Sequence, residues 1–162
     1  MQFSSHMRVA LSEACAAYRI GAVPVGAVIV RSGVIVAKAH NEMATDFLDL
    51  PQPVSHAEII AMVIACRVLK QTHLQGCEIY STLEPCPMCF AAISHMRIKK
   101  IFFGAYDLRD SKMVQLPGKG GAHFDNVDNE VEIFGGFSEE KCSRLLTAYF
   151  KKKREFSRNP CS

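Results

Sequence analysis

Residues 77–95, CEIYSTLEPCPMCFAAISH, contain the change from strand to helix that decides the fold. Ile79–Leu83 is typical of a short strand, and Pro85 ends it because proline has no N–H to donate to a neighbouring strand. A helix is predicted from Cys86 to about His95. Pro87 then occupies the first helical position, where the missing N–H costs nothing. This strand–helix unit indicates an α/β protein.

The sequence on both sides of this unit alternates between helical and strand patterns. Apolar spacing predicts a first helix that begins at Ser4 or Ser5, and a hairpin of strands follows at Val25–Val30 and Val34–Ala39. Ser55-x-x-Glu58 matches a capping box and predicts the start of a second helix. The other predictions are a loop at 41–55, a strand at 98–104, a loop at 108–130, a strand at 131–134 and a helix from Ser138 to about Arg154.

A hairpin followed by alternating helices and strands predicts a three-layer α/β/α sandwich. Its sheet should be mixed and mostly parallel, with about five strands, because strands joined by helical crossovers run parallel. With 162 residues, 49% of them apolar, the chain can bury one core, and we expect a single domain over residues 1–162.

Apolar runs and cysteines predict the compartment. The longest apolar runs, Pro24–Val30 and Ile59–Cys66, are shorter than the ~18 residues of a membrane-spanning helix. The N-terminus lacks the pattern of a signal peptide. Seven cysteines, an odd number without a secretory signal, argue against a disulfide framework. We therefore expect a cytoplasmic protein that does not associate with a membrane.

Positive charge is concentrated at the C-terminal end. Residues 138–162 carry seven basic and three acidic residues, a net charge of +4, whereas the whole chain has a net charge of +3. The excess lies in a predicted basic helix over about 138–155, mainly in Lys151–Arg154. Such a run is either a solvated helix face or a strip that contacts phosphate groups.

Cys86 and Cys89 have the spacing of metal ligands. Three positions apart on a helix, their side chains share one face, and two thiolates there can reach one zinc ion. The helix N-terminus stabilises the negative sulfur atoms. His56 offers a third ligand, and no fourth cysteine or histidine lies nearby in either stretch. Three protein ligands leave one position open, which is typical of a catalytic zinc site.

Glu58 follows His56 by two positions, a rotation of roughly 200° on a helix, so it is better suited to moving protons than to binding the metal. Taken alone, each feature has an ordinary interpretation. Cys-x-x-Cys can be a redox pair, Glu58 a capping-box glutamate, and His56 a buried hydrogen-bonded side chain. The combination of the two motifs favours a catalytic zinc site, because His-x-Glu upstream of Pro-Cys-x-x-Cys is the signature of zinc deaminases.

On these motifs the chain resembles the cytidine-deaminase-like superfamily, and within it the tRNA adenosine deaminases of bacteria. The resemblance covers about residues 5–155. The matching segments are Val23–Val28, Asn41, His56–Glu58, Thr82–Cys86, Phe103–Ala105 with Asp107, and Tyr149–Phe150. It implies one Zn²⁺ per chain bound by His56, Cys86 and Cys89, with Glu58 as the catalytic proton shuttle. It also implies hydrolytic conversion of adenosine to inosine at the tRNA wobble position, in a homodimer that binds the anticodon stem-loop and no DNA.

The resemblance further implies substrate contacts. Asn41 would bind the nucleotide in the pocket and Asp107 would contact RNA near the target base, although both residue types also form ordinary turns and caps. Phe150, Lys153 and Arg154 would line a groove for the anticodon loop. Phe150 could equally belong to the core face of its helix.

Three other functions stay open at the level of sequence. A deaminase of free bases or nucleosides, of the cytosine or guanine type, would use the same zinc motif. A non-catalytic zinc or RNA-binding module and a thiol–disulfide oxidoreductase are the others. The chain also departs from the tRNA deaminase pattern over residues 108–116, LRDSKMVQL, where those enzymes have a Lys- and Gly-rich stretch.

Overall fold

The computed structural model describes residues 2–42, 53–107 and 131–158. Within these ranges a five-stranded sheet is packed against helices. The helices are α1 (Gln2–Arg19), α2 (Ala57–Leu69), α3 (Pro87–His95) and α4 (Glu139–Arg158). The strands are β1 (Gly26–Arg31), β2 (Val34–His40), β3 (Cys77–Leu83), β4 (Lys100–Ala105) and β5 (Glu132–Phe134).

The strand order is β2-β1-β3-β4-β5. Strand β1 is antiparallel to both of its neighbours, whereas β3, β4 and β5 pair in parallel. Four strands therefore run in one direction and β1 runs against them. The predicted mixed, mostly parallel sheet is confirmed.

The sheet has an apolar layer on each face, and strand β1 contributes side chains to both layers. Ala27 and Ile29 pack with α2 and α3 on one face of the sheet. Val28 and Val30 pack with α1 and α4 on the other face. Successive strand residues point to opposite faces, so a run of buried residues supplies both cores, as expected for a sheet that is covered on both sides.

The start of α2 differs from the prediction. His56, not Ser55, is the N-cap residue, and its side chain makes no capping hydrogen bond. The predicted capping box is therefore wrong, and the Glu58 carboxylate accepts a hydrogen bond from Ser81 on β3 instead. Tertiary contact with the neighbouring strand has overridden the local pattern.

The ends of other elements also shift. Helix α4 continues to Arg158, four residues beyond the predicted end. The loop predicted over 108–130 and most of the loop predicted over 41–55 lie outside the described residues. In the part of the chain that is described, no helix is both long and apolar enough to cross a membrane.

Candidate active site

Two helix N-termini bring the predicted metal ligands together. His56 is the N-cap of α2, and Cys86 is the N-cap of α3, with Pro87 directly after it. Both residues have extended backbone conformations, which is the usual N-cap geometry. Both helices cover the same face of the sheet, and their first turns lie side by side.

Three donor atoms converge at this point. His56 Nδ1 lies 3.5 Å from Cys86 Sγ and 3.3 Å from Cys89 Sγ. A tetrahedral zinc ion with bonds of 2.0–2.3 Å separates its ligand atoms by about 3.5 Å. One nitrogen and two sulfur atoms at these separations fit zinc. Among the described residues, this is the one cluster of three or more metal-ligating side chains.

The two thiols differ in acidity. Hydrogen bonds, first from Cys89 and then from His56, lower the pKa of Cys86 to about 4, although burial opposes the shift. The same contact with Cys86, together with burial, raises the pKa of Cys89. A metal ion binds thiolates, so metal binding at this cluster must release the remaining proton.

Glu58 lies beside the cluster. Its side chain is buried, with Oε1 at 2.8 Å from Ser81 Oγ and Oε2 at 3.6 Å from Cys89 Sγ. Burial raises the pKa of the Glu58 carboxyl above its ordinary value of 4.5. A carboxyl group beside a metal-binding site can both accept and donate protons, and burial shifts the Glu58 carboxyl toward its protonated form.

A cavity of about 340 Å³ opens onto the metal-ligating side chains. It is lined by His56, Glu58 and Cys86, and also by Asn41, Asp107, Glu84 and the apolar side chains of Val23, Val25 and Leu83. Asn41 is buried, and its N–H donates to the carbonyl oxygen of Val25 over 3.0 Å. The structure thus places two of the predicted substrate contacts, Asn41 and Asp107, in the same cavity as Glu58.

Sequence reasoning missed Glu84. It is buried, and its Oε2 accepts a hydrogen bond from the N–H of Asp107 over 2.9 Å. Its own N–H donates to the carbonyl oxygen of Ala105 over 2.9 Å. These two bonds fix the end of β4, and with it Asp107, against the cavity. The available signal was a carboxylate at the end of a buried strand, directly before the Pro-Cys motif.

The other three predicted contacts lie on α4 and do not line this cavity. Tyr149 is buried and donates a hydrogen bond to the carbonyl oxygen of Gly21, which attaches α4 to the end of α1. Phe150 is half-buried with its ring edge-on to that of Tyr149. Lys153 and Arg154 are exposed, and the Lys153 ammonium lies 5.9 Å from the centre of the Tyr149 ring.

The sequence is similar to those of known deaminases. The family model of the cytidine and deoxycytidylate deaminase zinc-binding region matches residues 1–105. A tRNA-specific adenosine deaminase of Aquifex aeolicus is 40% identical over 152 residues, which cover 91% of this chain and 93% of that protein.

Solved structures of known proteins are also similar to this one, and two of them share 33% sequence identity with it. A chain from a study of A-to-I editing by tRNA:A34 deaminases at the wobble position of transfer RNA has 33% identity and a TM-score of 0.72, with 88% of this chain and 99% of that chain covered. The guanine deaminase from Bacillus subtilis also has 33% identity. Its TM-score is 0.59, and 74% of this chain and 80% of that chain are covered.

Proposed function

Because the chain belongs to the family with the cytidine and deoxycytidylate deaminase zinc-binding region, we propose that it is a zinc-dependent hydrolase that converts adenosine to inosine at the wobble position of tRNA anticodons. One observation carries the proposal. His56 and Cys86, two members of the cluster with Cys89, line the same cavity as Glu58, a buried glutamate with a raised pKa. Similarity to tRNA-specific adenosine deaminases over most of the chain supports this choice of substrate.

Metal binding and proton transfer would be carried out by different side chains of the site. His56, Cys86 and Cys89 would hold one Zn²⁺, which when bound lowers the pKa of water far enough to supply a nucleophile near neutral pH. Glu58 takes one proton from water and delivers it to the purine ring nitrogen as the water oxygen bonds to the carbon that bears the amine. It then moves the second proton, from the hydroxyl group now on that carbon, to the amine, so that the C–N bond breaks and ammonia leaves. Burial raises the pKa of Glu58, and this makes its carboxylate a stronger base toward the proton that water releases.

The cavity and α4 would bind different parts of the RNA. Asn41 and Asp107 lie where the flipped adenosine enters the cavity, and Glu84 fixes the backbone at Asp107. The exposed Lys153 and Arg154 would contact phosphate groups of the anticodon loop, and the half-buried ring of Phe150 offers a stacking surface beside them. These contacts read an RNA loop, and we expect no binding to DNA.

We expect the enzyme to act as a cytoplasmic homodimer. On the outer surface of α2 and α3, Val63, Val68 and Met88 expose 46%, 58% and 36% of their surfaces. Exposed apolar side chains on these neighbouring helices favour burial against another protein surface. A second copy of the chain is the partner that would place two active sites near one RNA.

A deaminase of free guanine is the second candidate. It is favoured by the 33% identity to the guanine deaminase from Bacillus subtilis and by a cavity large enough for a free base. The basic face of α4 favours RNA instead, because a small substrate needs no strip of positive charge.

Zinc-loaded protein incubated with an adenosine-bearing anticodon stem-loop, and separately with free adenosine, cytosine and guanine, tests the choice. We expect inosine in the stem-loop and no ammonia from the free compounds. Raising the salt concentration should sharply reduce stem-loop turnover, because phosphate contacts release counterions. Ammonia from guanine without any stem-loop product would instead identify the second candidate.

A further inference from the structure

Ser81 places a hydroxyl group inside an apolar layer. It lies on β3 with 0% of its surface exposed, and its side chain points to the same face of the sheet as Cys77 and Ile79. That face packs against α2 and α3. A buried hydroxyl in such surroundings is costly unless it is hydrogen-bonded, so its partners indicate its use.

Both partners of the hydroxyl are defined. The N–H of Leu83 donates to Ser81 Oγ over 3.4 Å, which occupies a lone pair of the oxygen. The hydroxyl proton then points to Glu58 Oε1, 2.8 Å away. Because a backbone N–H only donates, the Leu83 bond leaves the hydroxyl proton of Ser81 available, and Ser81 donates it to the Glu58 carboxylate.

The two oxygen atoms of Glu58 therefore have different surroundings. Oε1 is bonded to the strand, whereas Oε2 lies 3.6 Å from Cys89 Sγ at the metal cluster. The serine bond therefore orients the carboxylate plane from the side of β3. Proton transfer depends steeply on such orientation, since a group that is displaced by 1 Å can lose about 100-fold in rate.

We propose that Ser81 is a positioning residue for proton transfer. It holds Glu58 through Oε1 and keeps Oε2 directed at the metal-binding side chains His56, Cys86 and Cys89. The proposal rests on the proposed function, in which Glu58 moves protons. Ser81 itself does not line the cavity, so it acts through Glu58 and not on the substrate.

Ser81→Thr and Ser81→Val form a matched pair for the test. The two side chains have nearly the same shape and suit a strand, but only threonine keeps the hydroxyl. For both variants we would measure kcat and KM with the anticodon stem-loop, the zinc content per chain and the midpoint of thermal unfolding. We expect kcat of the valine variant to be about tenfold or more below that of the threonine variant. KM should agree within about twofold, and both variants should hold one zinc per chain.

Unfolding gives a readout that does not depend on turnover. The unfolding midpoint of the valine variant should lie below that of the threonine variant. This difference should vanish or reverse when each is combined with Glu58→Ala, because the threonine hydroxyl then has lost its acceptor. Such non-additivity isolates the contact between Ser81 and Glu58.

Equal kcat values for the two variants would overturn the proposal. So would a valine variant that loses zinc in parallel with kcat, or an unfolding difference that persists with Glu58→Ala, because each indicates a general structural role. If the wild-type protein formed no inosine at all, the proposed function would fail, and the unfolding comparison would still decide whether Ser81 holds Glu58.

Discussion

The Nδ1 atom of His56 lies 3.3 Å from the Sγ atom of Cys89, although the two residues are 33 positions apart in the chain. This contact joins the first turn of α2 to the first turn of α3 at one end of the sheet. A metal ion held there would connect two crossover helices that otherwise rest on apolar packing and on the polar contacts of Glu58 with Ser81 and Cys89. Stability and activity should therefore share a dependence on this cluster.

Replacing Cys89 with serine should remove the metal and destabilise the fold. A structural free-energy contribution of several kcal/mol is expected from bound zinc, so the unfolding midpoint should fall by about ten degrees or more. Zinc content and thermal unfolding measure both effects. Cys15→Ser, at an exposed position outside the cluster, is the control and should keep its zinc and its midpoint. A Cys89→Ser protein with one zinc per chain would show that Cys89 is not a ligand.

Glu58→Gln should separate metal binding from turnover. The amide keeps the size of the side chain but cannot take up and return a proton, so kcat should fall by about 100-fold or more. Zinc content should stay at one per chain, since the metal-ligating cluster consists of His56, Cys86 and Cys89. Inosine formation and zinc analysis on the same sample check the prediction. Retained turnover would refute the role of Glu58.

Glu84→Leu should weaken substrate binding. It removes the acceptor for the half-buried N–H of Asp107, and leaving such a donor without a partner costs about 1 kcal/mol or more. We expect KM for the stem-loop to rise about tenfold while zinc content is unchanged. Glu84→Gln keeps an acceptor oxygen and is the matched control, with KM within about threefold of wild type. An equal KM for the two variants would exclude the anchoring role.

Charges on the second half of α4 should set the salt dependence of RNA binding. Lys153→Gln combined with Arg154→Gln removes two exposed positive charges. The slope of log K against log salt should then decrease by about 1.4 for a single-stranded loop. The control pair, Lys141→Gln with Arg144→Gln, lies near the start of the same helix and should leave the slope unchanged. Equal slopes for both double variants would place the RNA elsewhere.

The Glu13 carboxylate should contribute stability above its ordinary pKa and lose that contribution in acid. Burial raises its pKa, but hydrogen bonds from Lys38 and His40 together bring the pKa below the ordinary value of 4.5. A lowered folded-state pKa means that the contribution is complete above pH 4.5 and is lost as the pH falls through the lower folded value. We expect Glu13→Gln to reduce the unfolding free energy by about 0.5–1 kcal/mol at pH 7, and by progressively less below pH 4.5.

Denaturant unfolding of the wild-type protein and of Glu13→Gln, from pH 7 to below pH 4.5, measures this difference in unfolding free energy. Glu140→Gln, which alters an exposed pair with Arg144 at 3.7 Å, is the control and should change stability by less than Glu13→Gln. A deficit of the Glu13 variant that stayed constant down to pH 3 would contradict the assignment.

Local patterns in the sequence predicted most of the fold. The family resemblance drawn from His56-x-Glu58 and the Pro-Cys-x-x-Cys motif is confirmed by the family model, and the sheet is confirmed by its strand order. Pro87 marked the start of α3 because proline at the first helical position is a local steric signal. Such signals act within a few residues and can be read without tertiary structure.

The missed features depend on contacts between distant segments. Ser55-x-x-Glu58 matched a capping box, yet Glu58 turns to Ser81, 23 positions away. Glu84 lies within the Thr82–Cys86 segment, but the sequence predicted no role for it, because its partner, the N–H of Asp107, is also 23 positions away. Neither bond has a periodic signature, so only the register of β3 against its neighbours could reveal it.

The coordination of the metal tests the proposed active site most directly. Crystals of zinc-loaded protein, measured at the zinc absorption edge, would locate the ion and identify its ligands. We predict one zinc per chain with His56 Nδ1, Cys86 Sγ and Cys89 Sγ as its protein ligands, and a fourth position facing Glu58 that is occupied by solvent. A fourth ligand supplied by the protein, or zinc bound away from these three side chains, would contradict it.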